Sequence, residues 1–89
     1  MTERYYRPKE RLVVEQWLED NDGVTGVFKF GGSVCYYNIN VDTFVWLRTL
    51  CLLDKVWFTR QKENEYIGHV RCNNREQLWY IHDDLMEEV

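Results

Sequence analysis

Gly31-Gly32 stands between two runs of alternating residues, Val24–Phe30 and Ser33–Asn40. A two-residue Gly-Gly link is a strong hairpin signal, because the tight turn that matches strand twist needs positive φ at both central residues. This stretch of chain is therefore committed to antiparallel β-structure. Phe28 and Phe30 share one face of the first strand, and Cys35, Tyr37 and Ile39 share one face of the second. Gly26 inside the first strand implies a bulge or a close backbone approach.

The neighbouring segments fall into place around this hairpin. Lys9–Asp20 reads as a helix, with Val13, Val14, Trp17 and Leu18 on one stripe and Glu10, Arg11, Glu15 and Glu19 largely opposite. Pro8 suits a helix start, and residues 1–8 read as an N-terminal arm. The helix stops at Asn21-Asp22-Gly23. Val41–Leu53 reads as a second helix capped by Asn40 or Asp42. It is apolar nearly all round and is expected to be the most buried helix. Val56–Lys62 and Glu65–Cys72 form a second hairpin turning at Glu63-Asn64. Leu78, Ile81, Leu85 and Val89 recur at helical spacing, so residues 73–89 read as a final helix capped by Asn73 or Asn74. The expected order is α-β-β-α-β-β-α: a single α+β domain over residues 1–89, its antiparallel hairpins covered on one face by helices.

The chain is 45% hydrophobic and 16% aromatic, which fits a packed domain rather than a disordered segment. Its net charge of -4 argues against a simple nucleic-acid binder. The charge is uneven: residues 12–22 and 76–89 are acidic, and residues 54–75 are basic. Cys35, Cys51 and Cys72 are odd in number, Met1-Thr2-Glu3-Arg4 does not read as a signal peptide, and no apolar run reaches the length of a membrane span. Reduced, buried thiols and a cytoplasmic location are expected.

Candidate chemistry is sparse. Asp20 and Asp22 project past a helix end, where carboxylates can hold Mg²⁺. The same residues serve as an ordinary helix stop. Lys29, Arg60, Lys62, His69 and Arg71 are basic groups able to meet phosphates, with Trp57 and Tyr66 near them for stacking. His69 and Cys72 lie three apart in a strand, so they point to opposite faces and do not suit zinc. Ser33, the one serine, sits at the Gly-Gly turn with no evident base. Trp46 and Trp79 are candidate contact residues, and Asp83, Asp84, Glu87 and Glu88 form a candidate acidic surface.

Glu15 to Gly23, E-Q-W-L-E-D-N-D-G, running from a helix into a hairpin, resembles the LAGLIDADG homing endonucleases at Leu18, Asp20, Asp22 and Gly23. The resemblance implies a DNA-binding or DNA-cleaving homodimer, with paired motif helices, a saddle of strands on DNA, and Asp22 holding a catalytic divalent metal. The sequence departs from the family at Gln16 and Trp17, where small residues let two helices approach, and at Glu19, which is apolar in the family. The residues themselves favour a different reading. This is a small cytosolic module, monomer or homodimer, that binds another protein through an acidic surface without catalysis, cofactor or membrane. A phage or mobile-element inhibitor or regulator is one version of it.

Overall fold

A computed structural model describes residues 3–89, with the side chains of residues 28–30 outside that description. The elements run β1 (Tyr6–Pro8), α1 (Arg11–Asp20), β2 (Gly26–Phe30), β3 (Ser33–Tyr37), α2 (Val41–Leu52), β4 (Val56–Lys62), β5 (Glu65–Val70), β6 (Arg75–Tyr80), a 3-10 turn (Asp83–Leu85) and β7 (Met86–Glu88). The α+β class and the single small body follow the sequence reading. The element order does not, at either end of the chain.

The first hairpin forms as its turn dictates. Gly31 and Gly32 both take positive φ, and β2 pairs with β3 in register from Gly26↔Tyr37 to Phe30↔Ser33. Gly26 marks a close approach: a Cβ there would run into the Tyr37 ring and the Tyr80 carbonyl. The expected shared face of Phe28 and Phe30 lies outside the described residues. The second hairpin pairs Val56–Lys62 with Glu65–Val70, and Asn64 supplies the positive φ at its turn. Among the described residues the non-glycine positions with positive φ are Asp22, Asp54, Asn64 and Asn74. Asn and Asp tolerate that region best, and here each ends a helix or turns a strand.

Residues 73–89 are not a helix. Asn73-Asn74 is a turn, β6 pairs antiparallel along all of β5, and only Asp83–Leu85 is helical. The apolar spacing of Leu78, Ile81 and Leu85 arises instead from three different environments. Leu78 is exposed on β6, while Ile81 and Leu85 enter the core from the segment beyond it. Residues 6–8 are not an arm. They form a strand inside the five-stranded sheet, whose order is β6-β5-β4-β1-β7. Pro8 therefore lies buried in β1 rather than starting a helix, and α1 begins at Arg11.

The core is Val14, Phe44, Leu47, Phe58, Tyr66, Ile81, Leu85 and Met86. Tyr6 packs edge-on against Tyr66 at 5.7 Å. α2 lies across β1 and β4, and α1 packs against α2 and the 3-10 turn. The Asn40 side chain caps α2 by accepting from Thr43 N–H at 2.9 Å. As expected, α2 is the more buried of the two described helices, burying Phe44 and Leu47 where α1 buries Val14 alone. Its apolar outer side is nevertheless not enclosed, and Asp42, Trp46, Thr49 and Leu52 are exposed on it. Cys72 is also exposed, and all three cysteines are free thiols. No described helix is long and apolar enough to cross a membrane.

Thr25 joins the two sheets. Fully buried, it donates its hydroxyl to Tyr37 O, accepts from Ile39 N–H at 2.5 Å, and gives its carbonyl to His82 N–H at 3.0 Å. Thr25→Val keeps the shape but leaves the Ile39 N–H unmet. The variant should lose about 1–3 kcal/mol of unfolding free energy in a urea titration, with an unchanged m-value.

Candidate functional site

The acidic residues of the last segment are engaged within the domain. Asp83 accepts two hydrogen bonds from the Arg60 guanidinium, at 3.2 and 2.7 Å, one from the Tyr66 hydroxyl at 2.7 Å and one from Asn64 N–H at 3.2 Å. Asn64 Oδ1 accepts from Asp83 N–H in return, at 2.9 Å. Burial alone would raise the Asp83 carboxyl. The bonds from Arg60, Tyr66 and Asn64 outweigh it and hold the group below its ordinary range. Burial, with the bond to Asp83, pushes the Tyr66 phenol up, so it stays a donor. Asp84 accepts from Trp17 Nε1 at 3.1 Å. Glu87 meets Arg7 at 3.3 Å and Arg48 at 3.2 Å, and Arg48 also donates to Pro8 O at 2.7 Å. Glu88 lies 3.6 Å from Arg4.

The basic candidates are similarly occupied. Arg60 is held by Asp83, Arg71 lies 2.9 Å from Asp54, and Lys62 lies 3.6 Å from Glu65. The Lys29 side chain lies outside the described residues. His69 belongs to a row that the sequence reading missed. Its Nε2 and the Thr59 hydroxyl are 2.9 Å apart, its Nδ1 lies 3.4 Å from Glu76, and its ring stacks on Trp57 at 4.9 Å. The Arg71 guanidinium sits over the same Trp57 ring at 4.8 Å. Cross-strand register creates the row, pairing Trp57 with His69 and His69 with Glu76. The Trp57–His69 pairing belongs to the expected second hairpin; the Glu76 end of the row depends on β6 being a strand, and a helical reading of that segment hides it.

Asp20 and Asp22 stand at the end of α1. Asp20 accepts from Gln16 Nε2 at 3.0 Å. Asp22 and Gly23 are left-handed, and Gly23 N–H returns to Leu18 O at 2.7 Å, closing the helix. Among the described residues no three His, Cys, Asp or Glu side chains gather as a metal-ligand group. Mg²⁺ at this turn would need ligands beyond these two carboxylates.

Two candidates do come together. Trp46 from α2 and Trp79 from β6 line one groove of 530 Å³, with Leu47, Leu50, Val56 and Val70 among its walls. Trp79 packs edge-on against Phe58 at 6.2 Å and lies over Gly68, where a Cβ would approach its Nε1 to 2.9 Å. Gly68 thus makes the floor on which the indole rests. The groove exists because α2 covers β1 and β4 and stops short of β5 and β6. A second hollow, of 720 Å³, extends from Trp46 and Leu50 to Lys55 and Cys72 at the exit of α2. Trp46 itself is 59% exposed, and Leu52 and Leu53 are exposed beside it. Burial pushes the Cys51 thiol, on the inner side of α2, up to about 11, so it remains neutral.

Comparison with protein-family models, with curated proteins and with solved structures finds no match to this chain.

The Asp83 network makes a pH prediction. Its carboxyl titrates lower in the folded chain than unfolded, so its contribution is complete above the unfolded value and lost as pH falls through the folded one. Asp83→Asn removes that contribution. Melting temperatures of the variant should lie below the parent's at neutral pH and converge with it as pH falls through and below the ordinary aspartate range.

Proposed function

We propose that this chain is a non-enzymatic binding module that acts by protein–protein contact, and that the contact is made by the outer side of α2 and the groove beside it. The observation that carries the reading is Trp46, held more than half exposed on a helix with apolar residues on both its inner and outer sides. A helix that is apolar all round is normally enclosed. Here the fold encloses one side only and leaves the other to solvent. An exposed apolar patch rimmed by polar residues is the usual signature of a protein contact. Trp is among the residues that dominate such contacts, because its indole removes a large area from water at little entropic cost. Trp79, Leu50 and Val70 extend the patch into a concave surface able to receive a side chain.

The acidic groups expected to make the contact support a different role. Asp83 and Glu87 are taken up by arginines of the same chain, so they stabilise the fold rather than await a basic partner. In this reading the module works by occupancy, as an inhibitor or regulator does, and not by turnover.

Two measurements test it. Trp46→Ala should cost about 1–2 kcal/mol, since only part of the indole's area is covered. Phe44→Ala, two residues away and buried, should cost about 3–5 kcal/mol. A photo-crosslinking residue at position 46 should yield a covalent protein adduct on irradiation in the native extract, whereas the same residue at position 61 should not. Equal capture at both positions, or none at 46, overturns the reading.

A further inference from the structure

We infer that the outer side of α2 binds a second copy of this chain, the two α2 helices running antiparallel about a two-fold axis near Thr49. This rests on the reading of that side as a protein contact and names its occupant. Asp42, Trp46, Thr49 and Leu53 follow one another at intervals of four, three and four. That spacing places them in one straight seam along a helix. All four are exposed, while Phe44 and Leu47 on the other side of the helix enter the core.

The order of groups along the seam selects a second copy. An acid stands at its start, an indole follows, a small residue lies in the middle and a leucine near the end. Lys55 lies just beyond. Rotating this seam by half a turn about Thr49 brings Trp46 toward Leu53 and Asp42 toward Lys55, twice over by symmetry. An isologous interface requires this self-complementarity, in which each group meets its complement on the identical surface. Thr49, short enough to let two backbones approach, falls at the crossing point.

Both charged groups are available. The Asp42 side chain is 85% exposed and, among the described residues, its one ion pair is a 3.9 Å contact with Arg11, which is itself bonded to Glu15 at 2.8 Å. Lys55 is exposed and makes no ion pair among the described residues. Antiparallel pairing also sets the positive N-terminal end of each helix dipole beside the negative C-terminal end of the other.

Sedimentation equilibrium from micromolar to millimolar concentration tests the inference. The parent chain should approach twice its 10.9 kDa mass. Asp42→Lys and Lys55→Glu should each weaken self-association by about tenfold, since each turns two attractive contacts into repulsive ones. Mixing the two variants should restore association. In the mixed dimer the two introduced charges face each other, and the native Asp42 of one copy faces the native Lys55 of the other. Trp46→Ala should abolish association, with circular dichroism reporting an intact fold. A monomer at every concentration overturns the second copy as occupant; if the probe at position 46 still captures a different protein, the contact reading stands without it. A dimer indifferent to all three substitutions, or no rescue on mixing, overturns the antiparallel pairing.

Discussion

The contacts of Asp83 are the constraint on which the rest of the molecule depends. One carboxylate gathers the Arg60 guanidinium, the Tyr66 hydroxyl and the Asn64 N–H. It thereby fastens the chain after β6 to the turn between β4 and β5. Hydrogen bonds to a charged group are worth about 1.5–3 kcal/mol, against about 0–1 kcal/mol for an exposed ion pair. This site therefore outweighs the Arg4–Glu88 or Arg71–Asp54 pairs. With the segment fixed there, Ile81, Leu85 and Met86 reach the core, Leu85 O accepts from Lys9 N–H, and β7 is placed to pair with β1.

The same contacts explain which parts of the fold are legible in the sequence. Local signals are. Gly31-Gly32, the Asn40 cap and the turn at Glu63-Asn64 each act over a few residues, and each is present. The last segment misleads because its apolar residues fall by chance at helical intervals. Its actual conformation depends on pairing with β5, which the order of residues does not announce. Two weak signals point the other way: Asn73-Asn74 as a turn, and the aromatic pair Trp79-Tyr80, which favours strands. Tyr6–Pro8 is illegible for a stronger reason. A three-residue strand carries almost no pattern, and its partners are distant in sequence.

The candidate site is half legible. Trp46 and Trp79 can be named from their size, since a domain this small does not readily enclose every tryptophan. That they share a groove cannot, because it depends on where α2 ends its cover of the sheet. The acidic residues show what spacing alone leaves out. A run such as Asp83, Asp84, Glu87 and Glu88 looks like a surface charge cluster, yet the alternation of turn and strand aims its members at different partners. Charge read along a sequence reports density, not direction.

The position of β1 has a consequence for how the molecule comes together. It lies between β4 and β7, and its Arg7 pairs with Glu87 across 80 residues of chain. The meander β4-β5-β6 can close from near neighbours, but the side of the sheet beyond β4 is completed by two short strands from far apart. Such distant closure must offset its loop entropy before any contact repays it. During synthesis, the segment containing β1 leaves the ribosome ahead of the other strands of its sheet and finds its last neighbour only when Met86–Glu88 has emerged. Until then Tyr6 and Pro8 have no complete sheet to enter. The sheet of this domain is thus complete only once β7 is in place, and a chain that lacks it leaves one side of β1 open to other strands.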